Sequence, residues 1–276
     1  MKIPLFYIDA FTSEVFKGNQ AAVCLLESWL PDDVLQSIAA EHNLSETAFV
    51  VREEKELFQL KWFTPKVEVD LCGHATLAAA HVVFGIYSFG NKSVRFKTKS
   101  GILSATQAQD GKITLDFPSF EVNSFTGAKN DVSEALGAKF QEIYKSRDIL
   151  VVFEKEKEVI DLVPNFSLIK KLDCLGIVVT APGHDCDFVS RYFGPAAGID
   201  EDPVTGSAHS LLAPYWSTRL KKSSFFARQL SSRTGEIWCQ LNGDRVLITG
   251  FATSYMQGTI NIKITPSSVL IPFSAV

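Results

Sequence analysis

The sequence predicts an α+β protein made of two pseudo-symmetric halves, each a buried helix wrapped by short strands. Three observations predict this class: a glycine motif that recurs before an apolar helix, a recurring order of landmarks around it, and alternating apolar residues between the landmarks. The chain has 276 residues, of which 46% are hydrophobic and 21% charged. That length and composition allow two halves of ordinary domain size, each with its own core.

The repeat is centred on Gly73 and Gly206, which lie 133 residues apart. Four landmarks occur in the same order in both copies, each within a few residues of the same spacing. In pairs, they are Phe63-Thr64-Pro65 and Phe193-Gly194-Pro195, Cys72-Gly73-His74 and Thr205-Gly206-Ser207, Ser100-Gly101 and Thr234-Gly235, and Asp110-Gly111 and Asn242-Gly243. One shared glycine would mean little, but four ordered matches indicate two copies of one unit.

Strands account for most of each copy. Apolar and polar residues alternate over 58–62 and 113–117 in the first copy and around Val246 in the second, which is typical of half-buried strands. Asp110-Gly111 and Asn242-Gly243 predict type I′ hairpin turns, because asparagine, aspartate and glycine tolerate the positive φ that this turn requires.

Helices are predicted at three places. Pro31-Asp32-Asp33 opens a run with Leu35 and Ile38 on one face, and proline and acidic residues favour a helix start. The segment 75–84 is apolar almost all round and should be buried on every side. Its counterpart, 208–213, runs into Pro214, which should end or kink that helix.

The repeat divides the chain into an N-terminal half, 1–122, and a C-terminal half, 123–276. The polar segment 122–131 reads as the loop that joins them. We expect that the C-terminal segment can pack back on the first half.

Charge and composition exclude several function classes. The net charge of −4 argues against nucleic acid or an anionic membrane as the main partner. No apolar run reaches the roughly 18 residues that span a bilayer, and the N-terminal segment lacks a signal-peptide pattern. Five widely spaced cysteines suit reduced thiols, so we expect a cytoplasmic protein. Motifs for nucleotide, nicotinamide, serine-hydrolase and zinc-protease sites are missing from the sequence.

The two glycine motifs are candidate anion sites. A helix start presents unpaired backbone N–H groups and partial positive charge, and glycine lets a ligand approach closely. The alternative is that Gly73 and Gly206 only permit a tight strand-to-helix turn. His74, next to the first glycine, could donate to a substrate oxygen or move a proton.

Two other residues are candidates for proton chemistry. Residues i and i+2 diverge at a helix start, so we do not expect Cys72 to pair directly with His74, and Cys72 reads as a small buried hydrophobe. Glu46 lies between Ser45 and Thr47 just before an apolar strand and is placed to act as a general base. The alternative is that Glu46 caps a turn or faces water.

Four motifs together resemble the PhzF-like family of phenazine-biosynthesis isomerases over essentially the whole chain. They are Gly18-Asn19-Gln20-Ala21-Ala22-Val23, Ser45-Glu46-Thr47-Ala48-Phe49, Leu71-Cys72-Gly73-His74-Ala75-Thr76 and Glu201-Asp202-Pro203-Val204-Thr205-Gly206-Ser207-Ala208-His209. The resemblance implies a diaminopimelate-epimerase-like fold, with two pseudo-symmetric halves that are each a strand-rich barrel around a central helix. It also implies a site in the cleft between them.

The resemblance also implies roles for matching positions. Glu46 is the general acid/base, while His74 and Asp202 orient the substrate and assist proton movement. Ser207 and the backbone at Gly73 and Gly206 contact a substrate carboxylate. Asn19 belongs near the cleft as a substrate-binding residue, although Gln20 stands where proline is usual in the family. Members of the family need neither a metal nor an organic cofactor and are often homodimers.

Three functions stay open at this point. Related epimerases use two thiols on opposite faces of a carbon; Cys72 occupies the first such position, but Thr205 occupies the second, and an alcohol is too weak an acid for that role. We therefore favour an isomerase in which Glu46 moves a proton within a small carboxylic acid. The alternatives are a racemase or epimerase that uses Cys72, and a non-catalytic protein that binds a small molecule.

Overall fold

A computed structural model describes residues 1–87 and 92–263 of the chain. Its strands are β1 (Lys2–Ala10), β2 (Asn19–Leu26), β3 (Glu46–Arg52), β4 (Leu57–Phe63), β5 (Glu68–Val69), β6 (Ser93–Thr98), β7 (Gly101–Gln107), β8 (Ile113–Pro118), β9 (Asn123–Ser124), β10 (Glu142–Lys145), β11 (Ile149–Val152), β12 (Ile177–Pro182), β13 (Phe188–Gly194), β14 (Ile199–Asp202), β15 (Ser224–Gln229), β16 (Gly235–Asn242), β17 (Arg245–Gly250) and β18 (Ala252–Asn261). Its helices are α1 (Asp32–His42), α2 (Gly73–Ile86), α3 (Lys129–Leu136), α4 (Glu156–Ile160), α5 (Phe166–Ile169) and α6 (His209–Leu220). Over the described ranges, no helix is both long and apolar enough to cross a bilayer.

The strand pairing shows the duplication directly. In the first half, β2 runs parallel to β3, β3 antiparallel to β4, and β4 parallel to β6, after which β6, β7 and β8 form an antiparallel meander. In the second half, β11, β12, β13, β15, β16 and β17 pair in the same order and with the same directions. The predicted α+β class with two pseudo-symmetric halves is confirmed.

The two halves exchange their last strands. β9 pairs with β10, whereas β18 returns to pair with β1 along the whole of that strand. β8 and β17 also pair, which joins the two sets of strands. The segment 122–131 is not all loop, because it contains β9 and the start of α3. The division at 122/123 stays a prediction, and residues 264–276 of its second half lie outside the described residues.

The helix of each half is the centre of the largest hydrophobic core. All residues of α2 from Gly73 to Ala80 are buried, and α6 is buried along its first turns. Leu77, Leu211 and Leu212 belong to one core cluster with side chains from the surrounding strands. The prediction of a helix at 75–84 is correct, and the helix extends from 73 to 86; it is buried on every side up to Ala80, whereas His81 and Phe84 are only partly buried.

The second central helix does not end at Pro214. It begins with a 3-10 turn over Gly206–Ala208 and continues as α6 to Leu220, so of the two outcomes predicted at proline, an end or a kink, the end is wrong. Proline lacks the N–H that would bond the carbonyl four residues earlier, here the carbonyl of Ser210. That carbonyl instead accepts a hydrogen bond from the backbone N–H of Phe120 at 2.9 Å. A partner from outside the helix thus satisfies the group that proline leaves free.

Both predicted hairpins form, but their turns differ from type I′. In the second hairpin Asn242 pairs with Arg245, so Gly243 and Asp244 are the central residues, and only Gly243 has a positive φ. In the first, a backbone hydrogen bond from the Ala108 N–H to the Lys112 carbonyl closes a longer turn. The glycine needs the left-handed conformation in both cases, whereas its neighbour does not.

Candidate active site

A cavity of about 170 Å³ lies where the two central helices begin. Eight of the residues proposed from the sequence line it: Glu46, Cys72, Gly73, His74, Asp202, Thr205, Gly206 and Ser207. Glu46 comes from the start of β3 and Asp202 from the end of β14, whereas the others come from the two glycine motifs. The volume is below the usual range for ligand pockets, which indicates a small ligand.

The two glycines bring the helix starts into backbone contact. A Cβ at Gly73 would lie 3.5 Å from the Cα of Gly206, and a Cβ at Gly206 would lie 3.7 Å from the Cα of Gly73. At Gly206 a Cβ would also lie 3.2 Å from the ring of Phe11, which is fully buried. The missing side chains therefore serve first to let the two halves approach each other, beside the cavity that both glycines line.

Glu46 and His74 contact each other in the lining of the cavity. His74 Nε2 lies 3.1 Å from Glu46 Oε2, and the two side chains are only 6% and 12% exposed. Neither atom has a well-aligned hydrogen-bond partner among the described residues. The contact is therefore an ion pair rather than a well-aligned hydrogen bond, and a ligand that enters the cavity can supply the better-aligned partner that each buried atom lacks.

Cys72 does contact His74, contrary to the expectation from their spacing. Cys72 Sγ lies 3.5 Å from His74 Nδ1. The expectation was wrong because Cys72 is the N-cap residue of α2 and has an extended backbone, with φ −142° and ψ 114°. An N-cap side chain turns back over the first helical residues instead of following the helix.

Asn19 lies behind the cavity rather than among its lining residues. Its side chain is fully buried, and Nδ2 donates to Asp202 Oδ1 at 2.7 Å and to the Val204 carbonyl at 2.9 Å. The same nitrogen lies 3.1 Å from His74 Nδ1. Asn19 thus links the histidine of one half to the carboxyl of the other. The residue before Asn19 must be glycine for the chain to take this path, because a Cβ at Gly18 would lie 2.2 Å from the Ala10 carbonyl oxygen.

Burial and nearby charge perturb the titration of three groups. Burial raises the pKa of the Cys72 thiol to about 11, so the thiol stays protonated near neutral pH. Burial also raises the pKa of the Asp202 carboxyl to about 6, and the Glu46 carboxylate adds to this rise. For His74 burial favours the neutral ring, but the interactions with Cys72 and Glu46 outweigh it and raise the pKa well above its ordinary value.

Glu46, Cys72 and His74 are also the one group of the described residues with ligand atoms close enough to hold a metal ion, all within 4.8 Å. The sulfur and the carboxylate, however, contact different nitrogens of the same ring. An ion bound at one ring nitrogen would leave the other nitrogen with its present partner, the thiol at Nδ1 or the carboxylate at Nε2. The arrangement suits a chain of proton-carrying groups better than a chelate.

The sequence reasoning missed Arg147 and Gln229. Arg147 lines the cavity from the turn between β10 and β11, and its Nη2 donates to Ser207 Oγ at 3.3 Å. Gln229 is fully buried and holds the second glycine motif: its Oε1 accepts from the Thr205 N–H, and its Nε2 donates to the Asp202 carbonyl. The repeat could have pointed to Arg147. The β10–β11 turn that carries it corresponds to the β1–β2 connection in the first half, and that connection ends at Asn19, a residue already singled out.

Comparison with known proteins supports the resemblance. A family model described as phenazine biosynthesis-like protein (PhzC-PhzF) matches residues 8–258. An uncharacterized isomerase of Pseudomonas aeruginosa is 48% identical over 264 residues, which cover 95% of this chain and 100% of that protein. The solved structure of a PhzF-family phenazine biosynthesis protein from Enterococcus faecalis has a TM-score of 0.91 and 45% identity, and the match covers 95% of this chain and 100% of that one.

A more distant structure bears on the fold alone. A hydroxyproline epimerase from Agrobacterium vitis has a TM-score of 0.60 at 10% identity, with 94% of this chain and 92% of that chain covered. The predicted epimerase-like fold and the predicted family are therefore both confirmed. The duplicated fold, the cavity between the helix starts and the full-length matches all lead to one conclusion: the chain belongs to the phenazine biosynthesis-like (PhzC-PhzF) family of isomerases.

Proposed function

We propose that the protein is a cofactor-independent isomerase that moves a proton within a small carboxylic acid, with Glu46 as the general acid/base. The observation that carries this proposal is the buried Glu46–His74 pair, whose facing atoms lie 3.1 Å apart in the cavity without aligned partners. A carboxylate in this position can accept a proton from a bound molecule within hydrogen-bond reach.

The proposed reaction is an allylic proton shift. The Glu46 carboxylate removes a proton from carbon, and the C–H electron pair moves into the neighbouring π system. The double bond shifts, and the Glu46 carboxylic acid returns the proton to a second carbon on the same face. His74 holds or relays the proton at Nε2, and the backbone N–H groups at Gly73 and Gly206 stabilise the negative charge that develops.

The surroundings of Cys72 and Thr205 favour one carboxylate over two acids on opposite faces. The raised pKa keeps the Cys72 thiol neutral, so little thiolate is present to remove a proton. The Thr205 hydroxyl donates to Asp202 Oδ2 and is engaged inside the protein. The racemase alternative would need acid/base chemistry from both of these positions.

Hydrogen–deuterium exchange tests the proposal. A screen of small carboxylic acids in D₂O, read by nuclear magnetic resonance, should find one whose C–H protons exchange with the wild-type protein. Glu46→Gln should lower the exchange at least about 1,000-fold, because the amide cannot accept the proton. Glu68→Gln is the matched control: the Glu68 side chain is 17% exposed, pairs with Lys99 and lies outside the cavity.

Two outcomes would count against this mechanism. Undiminished exchange in Glu46→Gln would show that another group removes the proton. Loss of exchange in Cys72→Ala, together with inversion at the exchanging carbon, would favour the racemase. We expect Cys72→Ala to lose much less exchange activity than Glu46→Gln, because the thiol contacts His74 Nδ1 and can act on the transferred proton only through the histidine ring.

We also propose that the protein is a homodimer that associates through β18. This strand is exposed along most of its length, and Tyr255 and Met256 are 53% and 40% exposed. The ring of Phe16, itself 68% exposed, packs against Tyr255. Light scattering with size-exclusion chromatography should give twice the mass of the chain, and Tyr255→Glu should give a monomer. A monomeric wild-type protein at all concentrations would contradict this proposal.

A further inference from the structure

We propose that Arg147, together with the hydroxyl of Ser207, binds a carboxylate of the substrate and selects the anion over a neutral analogue of the same shape. The inference rests on the proposed function, since it concerns the same cavity and the same small acid. It assigns the substrate carboxylate a charged partner that the glycine motifs themselves do not supply.

The charges of the cavity require such a partner. Glu46 and Asp202 both line the cavity, so an incoming carboxylate meets two carboxyl groups, while the His74 ring in the same cavity is already paired with Glu46. Among the described residues that line it, Arg147 is the only lysine or arginine. Like charges that share a small, partly buried space repel each other strongly. A guanidinium at the edge of the cavity supplies the positive charge that a bound carboxylate needs.

Arg147 is held in place before any ligand arrives. Its Nε and Nη2 donate to Asp148 Oδ2 at 3.3 and 3.1 Å, and Asp148 is only 3% exposed. The Tyr192 hydroxyl donates to the other oxygen of Asp148 at 3.2 Å, and the Phe120 ring centre lies 5.9 Å from the guanidinium. A side chain ordered in this way loses little conformational entropy when it binds a ligand.

The pairing between Arg147 and Ser207 leaves two donors free. Nη2 donates to Ser207 Oγ at 3.3 Å, so the serine hydroxyl accepts in that bond and keeps its own proton for another acceptor. Arg147 Nη1 makes no hydrogen bond to any part of the chain that the structure describes. Two neighbouring donors, one of them charged, match the two oxygens of a carboxylate.

The same cavity holds the Glu46–His74 pair that we propose for proton transfer. His74 Nε2 is buried without an aligned partner, and it shares a space of about 170 Å³ with Arg147. That volume is below the usual range for ligand pockets and suits a small ligand. The substrate carboxylate must therefore lie within a few bonds of the carbon whose proton moves, as in a conjugated or ring-bound monocarboxylic acid.

Binding measurements that need no turnover test the inference. The probes are crotonate, sorbate, benzoate and cyclohexenecarboxylate, each compared with its own primary amide by ligand-observed nuclear magnetic resonance at neutral pH. The variants are Arg147→Gln and Arg147→Lys. Arg245→Gln is the control, since its side chain is 41% exposed against 40% for Arg147, and it also pairs with one carboxylate, that of Asp116, outside the cavity.

We expect the wild-type protein and Arg245→Gln to bind at least one acid more tightly than its amide. Arg147→Gln should weaken binding of that acid about 10- to 100-fold and leave the amide nearly unchanged. Arg147→Lys should keep part of the preference, because it keeps the charge but loses the planar fork. A purely structural role of Arg147 would weaken acid and amide alike, and an unchanged ratio of the two affinities would overturn the inference. So would a wild-type protein that binds none of the acids at millimolar concentration.

The result is independent of the test of the proposed function. Glu46→Gln should still prefer the acid to the amide, because it removes the proton acceptor and leaves Arg147 in place. If Glu46→Gln loses proton exchange while Arg147→Gln keeps the wild-type preference, only the inference about Arg147 fails. If the preference depends on Arg147 but no acid exchanges its C–H protons, only the proposed isomerase mechanism fails.

Discussion

His74→Gln should lower the rate of proton exchange about 100- to 10,000-fold, the range expected for loss of a positioned acid/base group. The ring nitrogen Nε2 lies 3.1 Å from the carboxylate that we propose as the base, and the side chain is buried. Glutamine fills a similar volume but cannot take up or release a proton near neutral pH. The rate constant should therefore fall far more than the affinity for the substrate.

The same helix offers a matched control for this prediction. His81 lies two turns further along α2, outside the cavity, and its Nε2 is 3.0 Å from Ser254 Oγ. His81→Gln should keep exchange within about threefold of wild type, since no acid/base group of the cavity is changed. Single-turnover exchange and equilibrium binding of the same acid separate rate from affinity. Equal losses in the two variants would mean that the effect comes from the helix rather than from the cavity.

Asp202 should make the folded protein less stable as the pH rises from about 4 to about 6. Its pKa is raised from 3.8 to about 6, chiefly by burial, so the folded state binds more protons than the unfolded state within that window. Stability falls with rising pH wherever the folded state holds the extra proton. A shift of this size corresponds to about 3 kcal/mol, at 1.36 kcal/mol per unit.

The difference between wild type and Asp202→Asn isolates this contribution. Urea unfolding of both proteins at a series of pH values should show the wild type losing about 2 of these 3 kcal/mol relative to the variant between pH 4 and pH 6, and the rest on either side of that window. Titrating groups far from Asp202 are common to both proteins and cancel. Asparagine can still meet Asn19 and Thr205 at the same positions, so the fold should be kept. A difference that is flat across this window would show that the carboxyl does not carry a raised pKa.

Much of the fold could be predicted from residue order. The strand patterns around 58–62 and 113–117 correspond to β4 and β8, and the apolar run at 75–84 lies within α2. Such patterns follow from the fixed periods of strands and helices, which act over a few residues. The helix continues through Pro214, although proline usually ends or kinks a helix, because the N–H of Phe120 satisfies the freed carbonyl of Ser210. A sequence pattern cannot show a partner that arrives from another segment.

The candidate site was also predictable in its residues but not in all of its contacts. Its residues were named from the motifs and the family resemblance, and most of them meet in one cavity. The sequence alone could not predict the positions of two residues, Asn19 and Arg147. Asn19 was expected to touch the substrate, but it lies behind His74 and Asp202. Arg147 was not singled out, since one arginine in a polar turn resembles many others until the fold places that turn beside Ser207.

By itself, the sequence determined the duplication, the strand and helix pattern around each glycine, the family and the chemical types at the site, because these depend on local order and on matched motifs. Only the tertiary structure decided which groups meet. Asn19 and Asp202 are 183 residues apart, yet they share a buried hydrogen bond. Gly73 and Gly206 touch across the two halves. Contacts of this kind depend on how closely two helix starts pack, and packing is a property of the whole fold rather than of any segment.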